Sequence, residues 1–259
     1  ICLGNLTAGG SGKTPSALAL HALLSRHYTA PAFISRGYGG DEEQILQKSA
    51  PVFTGKDRYS SAKEAMDAQH DLIIMDDGLH NTSLHKDIKL VVIDGGMGFG
   101  NGALLPAGPL RTPLADGIAL ADGFIIIGED KRGIRAMLPA DKAIFTARLA
   151  PQTIPDKTHD YLAFAGLGYP QKFFDFARDV LGLNVVEAIP FADHHAYSAD
   201  DLTMLQGKAE ALNARLLCTE KDFVKLSPKI QSDIVCLRVA LKFDDENALI
   251  SFIKARVAT

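Results

Sequence analysis

Residues 4–15 read GNLTAGGSGKTP, a glycine-rich run that closes on Lys-Thr. Glycines at 9, 10 and 12 allow a tight backbone curl whose N–H groups converge on phosphate oxygens, and the helix after it adds its positive end. Lys13 would then reach the β- and γ-phosphates, and the Thr14 hydroxyl would ligate Mg²⁺. The expected nucleotide contacts are Thr7, Ala8, Gly9, Gly10, Ser11, Gly12, Lys13 and Thr14. The general pattern G-x-x-x-x-G-K-[ST] puts its first glycine at residue 7, which here is Thr. A glycine turn with no ligand is the bland alternative. The apolar run before the loop and the helical pattern after it favour phosphate binding.

Such a loop calls for an acidic group on the magnesium side. Residues 71–81, DLIIMDDGLHN, supply an apolar strand ending in Asp76-Asp77. A carboxylate at the carboxyl end of a parallel strand lies where open α/β sheets place their ligands. Adjacent strand residues point to opposite faces. The two aspartates are therefore expected to divide their duties, one holding Mg²⁺ directly or through water and the other orienting a neighbour. A plain Asp-Gly turn at a strand end is the competing reading.

Three further clusters carry chemistry. SRGYGG at 35–40 runs into Asp41-Glu42; Arg36 can pair with phosphate, and Asp41 can accept a hydroxyl proton. GNGALLPAGPLRTPL, residues 100–114, offers Asn101 and Arg111 on a loop too elaborate for a connector. ADHHAYS at 192–198 sets Asp193 beside His194 and His195, a plausible acid/base or orienting group, although paired loop histidines are more often surface residues.

These residues sit on an alternation of short apolar runs and helical segments, the pattern of layered α/β structure. The strands expected are 1–4, 31–35, 72–75, 90–93 and 124–127, with a helix from Pro15 to about His27. Continuous apolar runs suit strands buried on both faces of a parallel sheet. APQTIPDKTHD, residues 150–160, is the expected boundary, giving a domain over 1–150 and a smaller α/β domain over 151–259. The second begins at YLAFAG and includes helices from about Pro170 and Ser198, the run IVCLRVALKF, and a final helix. The chain has 259 residues and a net charge of −4, which argues against bulk nucleic-acid binding. Its three cysteines lack paired spacing, so a reducing compartment is expected. No run approaches the roughly 18 apolar residues of a membrane span. The chain opens without Met in an apolar run, so an N-terminal piece is expected ahead of it.

The blocks GNLTAGGSGKTP, SRGYGG, DDGL, GNGALLPAGPLR, AFAGLGYPQKFF, FADHHAYS and TEKDFVKL, in this order over residues 1–226, closely resemble the tetraacyldisaccharide 4′-kinase family. The resemblance makes Thr7 that family's own form of the loop. It implies a P-loop NTPase-like, mostly parallel sheet domain followed by the smaller α/β domain. It also implies transfer of the γ-phosphoryl group of ATP, with Mg²⁺, to the 4′-hydroxyl of tetraacyldisaccharide 1-phosphate, giving lipid IVA. The catalytic set it implies is Lys13, Asp77, Asp41 as the base and His194 as its partner from the second domain. Thr14, Asp76 and Asp77 would hold the metal; Arg36, Asn101 and Arg111 would meet substrate. The expected setting is the cytoplasmic face of the inner membrane, with a membrane-associated segment ahead of the chain, no nucleic-acid partner and a monomeric state. Two departures stand out: Gly40 runs straight into Asp41, where members carry a longer stretch, and Leu79-His80-Asn81 replaces a more usual Gln-His. A partitioning-type ATPase switch is the alternative, but the lysine expected before its two glycines is Ala8 here. A non-catalytic nucleotide-binding module is a third reading; it would need neither Asp41 nor His194.

Overall fold

The computed structural model describes residues 1–37 and 40–257; Tyr38 and Gly39 of the SRGYGG block lie outside the described residues. The chain forms two compact units, Ile1–Ala150 with Ala240–Thr259, and Pro151–Val239.

The first unit carries β1 (Cys2–Gly4), β2 (Pro31–Ser35), β3 (Val52–Thr54), β4 (Leu72–Met75), β5 (Lys89–Asp94), β6 (Gly123–Ile127) and β7 (Ala143–Pro151). The second carries β8 (Asp160–Ala165), β9 (Asn184–Pro190), β10 (Arg215–Thr219) and β11 (Ile234–Leu237). The chain then returns through β12 (Val239–Phe243) to the first sheet, whose order is β12-β7-β6-β5-β1-β4-β2-β3. Pairings from β3 through β7 are parallel. The second sheet, β11-β10-β8-β9, is parallel throughout. The second domain expected from the sequence extends to residue 259, yet residues 240–259 fold with the first unit. IVCLRVALKF reads as one apolar run, but it is cut at Arg238 between two sheets. Periodicity reports that a segment is extended, not which sheet it joins.

The parallel strands are buried on both faces, and their period of two explains how. Leu90 and Val92 enter a core with Leu20, Leu24, Leu249 and Ile253, while Val91 and Ile93 enter another with Phe124, Ile134 and Leu138. The second sheet repeats this, sending Tyr161, Ala163 and Leu217 one way and Leu162, Phe164 and Leu216 the other. Each such Leu, Ile, Val or Phe contributes roughly 1.5–3 kcal/mol relative to exposure. Because the strands run parallel, the segments that leave their carboxyl ends gather along one edge of each sheet. In the first unit these are residues 5–12 after β1, 36–37 and 40 after β2, 76–88 after β4 and 95–113 after β5. In the second they are 166–170 after β8, 191–198 after β9 and the turn after Thr219.

Candidate active site

The phosphate loop runs from β1 into α1 (Lys13–Leu24), which starts two residues before Pro15 and ends three before the expected His27. Gly12 caps it at φ +88°, a backbone conformation that favours glycine. Gly9 adopts φ +104°. Thr7 has no positive φ; it forms an antiparallel bridge with Leu110. Glycine is therefore not required at position 7, which accounts for the departure from the general pattern. The loop is strapped from outside: Ala8 N–H donates to Pro109 O at 2.7 Å, and Arg111 N–H donates to Leu6 O at 2.9 Å. From within, the Asn5 side-chain amide donates to Thr7 O at 2.6 Å.

The acidic turn abuts the same point. Gly78 N–H donates to Leu3 O. A Cβ on Gly4 would lie 2.4 Å from Leu79 Cβ and 3.2 Å from Leu79 N. Gly4→Ala must therefore push the turn off β1; we expect a loss of about 1–3 kcal/mol in stability. Nucleotide affinity should weaken with it, and thermal unfolding with and without ATP measures both. A Gly4→Ala protein as stable as the parent would mean that the two segments do not pack this tightly.

Strand alternation, the division expected from the sequence, is not what separates Asp76 from Asp77. β4 ends at Met75, and Asp77 sits in a turn at φ +52°. Burial makes the division: Asp76 is 4% exposed, and the Asp77 side chain 40%. Asp76 Oδ2 accepts the Thr14 hydroxyl at 3.1 Å. Its Oδ1 is buried and has no hydrogen-bond partner among the described residues. Burial, then the nearby Glu42 charge, push the Asp76 carboxyl up to about 6, while Lys13 and Thr14 act against them. A dry carboxylate with one lone oxygen, beside a threonine hydroxyl on a phosphate loop, fits a magnesium ion. Magnesium keeps waters and phosphate oxygens as most of its ligands, so it needs only one or two protein groups. Accordingly, no cluster of three or more His, Cys, Asp or Glu suited to a metal occurs among the described residues.

Asp77 gathers cations instead. Lys13 Nζ lies 3.9 Å from its Oδ2, and Arg111 Nη1 lies 3.4 Å from both carboxylate oxygens. Arg111 thus reaches the phosphate-loop site. Asn101 turns inward on its own loop, donating to Ala107 O and accepting Ala103 N–H. Its visible work is to shape the strap that carries Arg111. Asp41 opens α2 (Asp41–Gln47), is 1% exposed, and accepts the Glu42 N–H at Oδ1. Three acids in that first turn suit the positive end of the helix.

Two residues of this neighbourhood lie outside the set expected from the sequence. Arg58 opens α3 (Arg58–Asp67) and is 2% exposed, with a buried Nε that has no hydrogen-bond partner among the described residues. Its proton affinity is lowered by burial and then by Arg36, with Asp77 and Asp76 opposing, so Arg36 and Arg58 share the aspartates' neighbourhood. Glu42 is the other, through its effect on Asp76. The sequence signal for Arg58 is weak, one basic residue behind the Asp57 cap. His194 belongs to the second unit, at φ +58° in the segment after β9. Its Nε2 lies 3.3 Å from Lys221 Nζ. His195 Nε2 pairs with Asp201 at 3.0 Å, inside the capping box of the helix Ala199–Ala211. Replacing the box's Ser198 by Ala should cost about 1 kcal/mol; urea unfolding measures this, and an unchanged midpoint would speak against the cap.

Known proteins resemble this chain over nearly its whole length. The family model for tetraacyldisaccharide-1-P 4′-kinase matches residues 1–258. A tetraacyldisaccharide 4′-kinase of Methylorubrum extorquens is 41% identical over 272 residues, covering 96% of this chain and 83% of the relative. One from Rhodospirillum centenum is 37% identical, covering 96% and 80%. The crystal structure of LpxK from Aquifex aeolicus in complex with ATP superposes with a TM-score of 0.75 at 25% identity, covering 99% of this chain and 87% of that one.

Proposed function

The chain belongs to the tetraacyldisaccharide-1-P 4′-kinase family, and from that premise we propose which residues carry the transfer. The enzyme is an ATP-dependent kinase that phosphorylates the 4′-hydroxyl of tetraacyldisaccharide 1-phosphate to give lipid IVA. Bound Mg²⁺-ATP supplies the phosphoryl group, and the cation draws charge from its oxygens. The amides of residues 7–14 and the Lys13 ammonium hold the phosphates. Thr14 and Asp76 present their oxygens to the cation. Asp77 holds Lys13 at 3.9 Å and Arg111 at 3.4 Å and so keeps both cations facing the transfer site. Arg36 and Arg111 meet the anionic sugar. Asp41 takes the proton of the 4′-hydroxyl, because a sugar hydroxyl attacks readily only as that proton leaves. His194 is the second residue to which we assign a part in that proton transfer.

The observation that carries the metal-side assignment is the Thr14–Asp76 pair, whose second Asp76 oxygen is buried with no hydrogen-bond partner among the described residues. A switch ATPase would share that pair but would have no use for Asp41 and His194. The test is transfer of labelled γ-phosphate from ATP to tetraacyldisaccharide 1-phosphate in detergent micelles. Asp41→Ala and His194→Ala should each lower turnover by about 10²–10⁴-fold. Lipid phosphorylation indifferent to both changes would remove Asp41 and His194 from the transfer.

We also propose that the enzyme works peripherally on the cytoplasmic face of the inner membrane, where its lipid substrate and ATP meet. No helix among the described residues is long and apolar enough to cross a membrane. Leu104 and Leu105, both exposed on the strap beside the phosphate loop, offer the apolar surface that acyl chains need.

A further inference from the structure

The second unit contains a buried carboxylate to which the transfer scheme gives no part. Asp222 is fully buried and saturated with donors. Its Oδ1 accepts Gly166 N–H at 3.0 Å and the Tyr197 hydroxyl at 2.9 Å, and Lys225 Nζ lies 3.4 Å away. Its Oδ2 accepts the Thr219 hydroxyl at 2.7 Å, and Thr219 Oγ1 accepts Asp222 N–H in return. Burial, reinforced by Asp222, pushes the Tyr197 hydroxyl far above its ordinary range, so it remains a donor. A structural strut needs no more than this. The contacts that Gly166 makes on its other side give the carboxylate a second duty.

Gly166 O and the Asp193 side chain share the backbone N–H of His194, at 3.3 and 3.1 Å. A Cβ on Gly166 would lie 3.1 Å from Ala192 O and 3.2 Å from His195 Cβ, so the histidine segment rests on a bare Cα. His194 holds φ +58°, a conformation unfavourable to a residue bearing Cβ that persists only when its surroundings impose it. On the ring side, Lys221, the neighbour of Asp222, brings Nζ to 3.3 Å from His194 Nε2 and 3.9 Å from Asp193 Oδ1. Asp193 Oδ1 lies 4.0 Å from the same Nε2, so the ring nitrogen, the ammonium and the carboxylate form one cluster. Two successive residues thus address His194 from two sides.

We propose that the Thr219–Asp222 turn is the positioning device for His194: Asp222 sets its backbone through Gly166, and Lys221 sets its ring. This rests on the part given to His194 in the transfer. Lys221 and Asp222 are positioning residues; neither is required to touch substrate. Asp222→Asn keeps an oxygen for Gly166 N–H and Tyr197, whereas Asp222→Ala keeps nothing.

The experiment joins amide hydrogen exchange to turnover in the intact chain. In Asp222→Ala the His194 amide should exchange about tenfold faster or more while β8 amides stay slow. Turnover in the lipid-transfer assay should fall about 10–100-fold with the KM for ATP unchanged. Asp222→Asn should recover most of that loss, and Lys221→Met should lower turnover without changing the exchange. In a His194→Ala background, Asp222→Ala should slow the enzyme no further. Unchanged exchange at His194, or losses that simply multiply in the double variant, would overturn the proposal. His194→Ala turning over like the parent would instead sink the role given to His194, while the exchange result would still judge the backbone clamp.

Discussion

Lys13→Ala should lower phosphoryl transfer by about 10²–10³-fold, the scale on which one well-placed donor to a developing anion is felt. The side chain is only 13% exposed and leans on Asp77 Oδ2 at 3.9 Å, so its charge is delivered from a fixed place. The stem leaves α1 one residue after Gly12, whose left-handed backbone caps the helix. Removing the ammonium leaves Asp77 paired with Arg111, so the fold should survive. Lys13→Arg separates charge from shape: a planar fork on a longer stem cannot occupy the site of a compact ammonium. We expect Arg to restore nucleotide binding better than turnover. Single-turnover transfer at saturating ATP measures the chemical step; a Lys13→Ala enzyme within tenfold of the parent would remove Lys13 from the transition state.

The second large effect is expected at Asp76, and it runs in two directions. Asp76→Asn keeps the shape and an acceptor for Thr14 but removes the buried charge. From 3.8 to about 6, the raised carboxyl pKa corresponds to roughly 2–3 kcal/mol spent on ionising it at neutral pH. The sign follows from that direction. A carboxyl that holds its proton more tightly in the folded state opposes folding once pH rises above both values. Without nucleotide, in a chelator, the Asn protein should therefore unfold at the same temperature as the parent or a higher one. Turnover should nevertheless drop by about 10²-fold or more, because the charged oxygen that would hold magnesium is gone. Thermal unfolding with ATP and increasing Mg²⁺ separates the two effects. The parent should gain stability by mass action as the site fills, and Asp76→Asn should gain little. A variant with the parent's turnover at saturating Mg²⁺ would show that Asp76 is not a ligand. A strongly destabilised variant would show instead that the carboxylate supports the fold. The combination expected, a steadier fold with a poorer enzyme, is the usual mark of a strained functional group.

Residues close together in the chain are legible without coordinates. The phosphate loop is one contiguous segment, and its glycines report backbone conformations that few other residues adopt, so its position and neighbours can be read directly. The aspartates are legible because they end an apolar strand downstream of a phosphate loop, which calls for an acidic group on its magnesium side. What the strands themselves cannot disclose is their order. Leu72–Met75 and Leu90–Ile93 look alike as apolar runs, yet β4 and β5 flank β1 from opposite sides. That placement brings Asp76 to Thr14, 62 residues away in the chain. Arg58, the Asn101 hydrogen bonds within the strap and the return of β12 escape a linear reading for one shared reason: each depends on a partner that the spacing of residue types does not name.

By itself the sequence determined the chemistry that this chain offers: a loop for phosphates, a strand of parallel type with acids at its end, a base candidate at Asp41 and a histidine segment. It also determined the family, because ordered blocks of unusual residues are a property of the string and need no coordinates. Only the tertiary structure decided how the groups share the work. Asp76 and Asp77 are chemically identical, and nothing in their spacing says which one loses its water. Their difference comes from packing around the turn after β4, where one side chain is buried against the loop and the other stays half in solvent among cations. Burial is a sum over neighbours drawn from the whole chain, and charge responds to burial, so proton affinity and metal preference emerge only once the chain has folded.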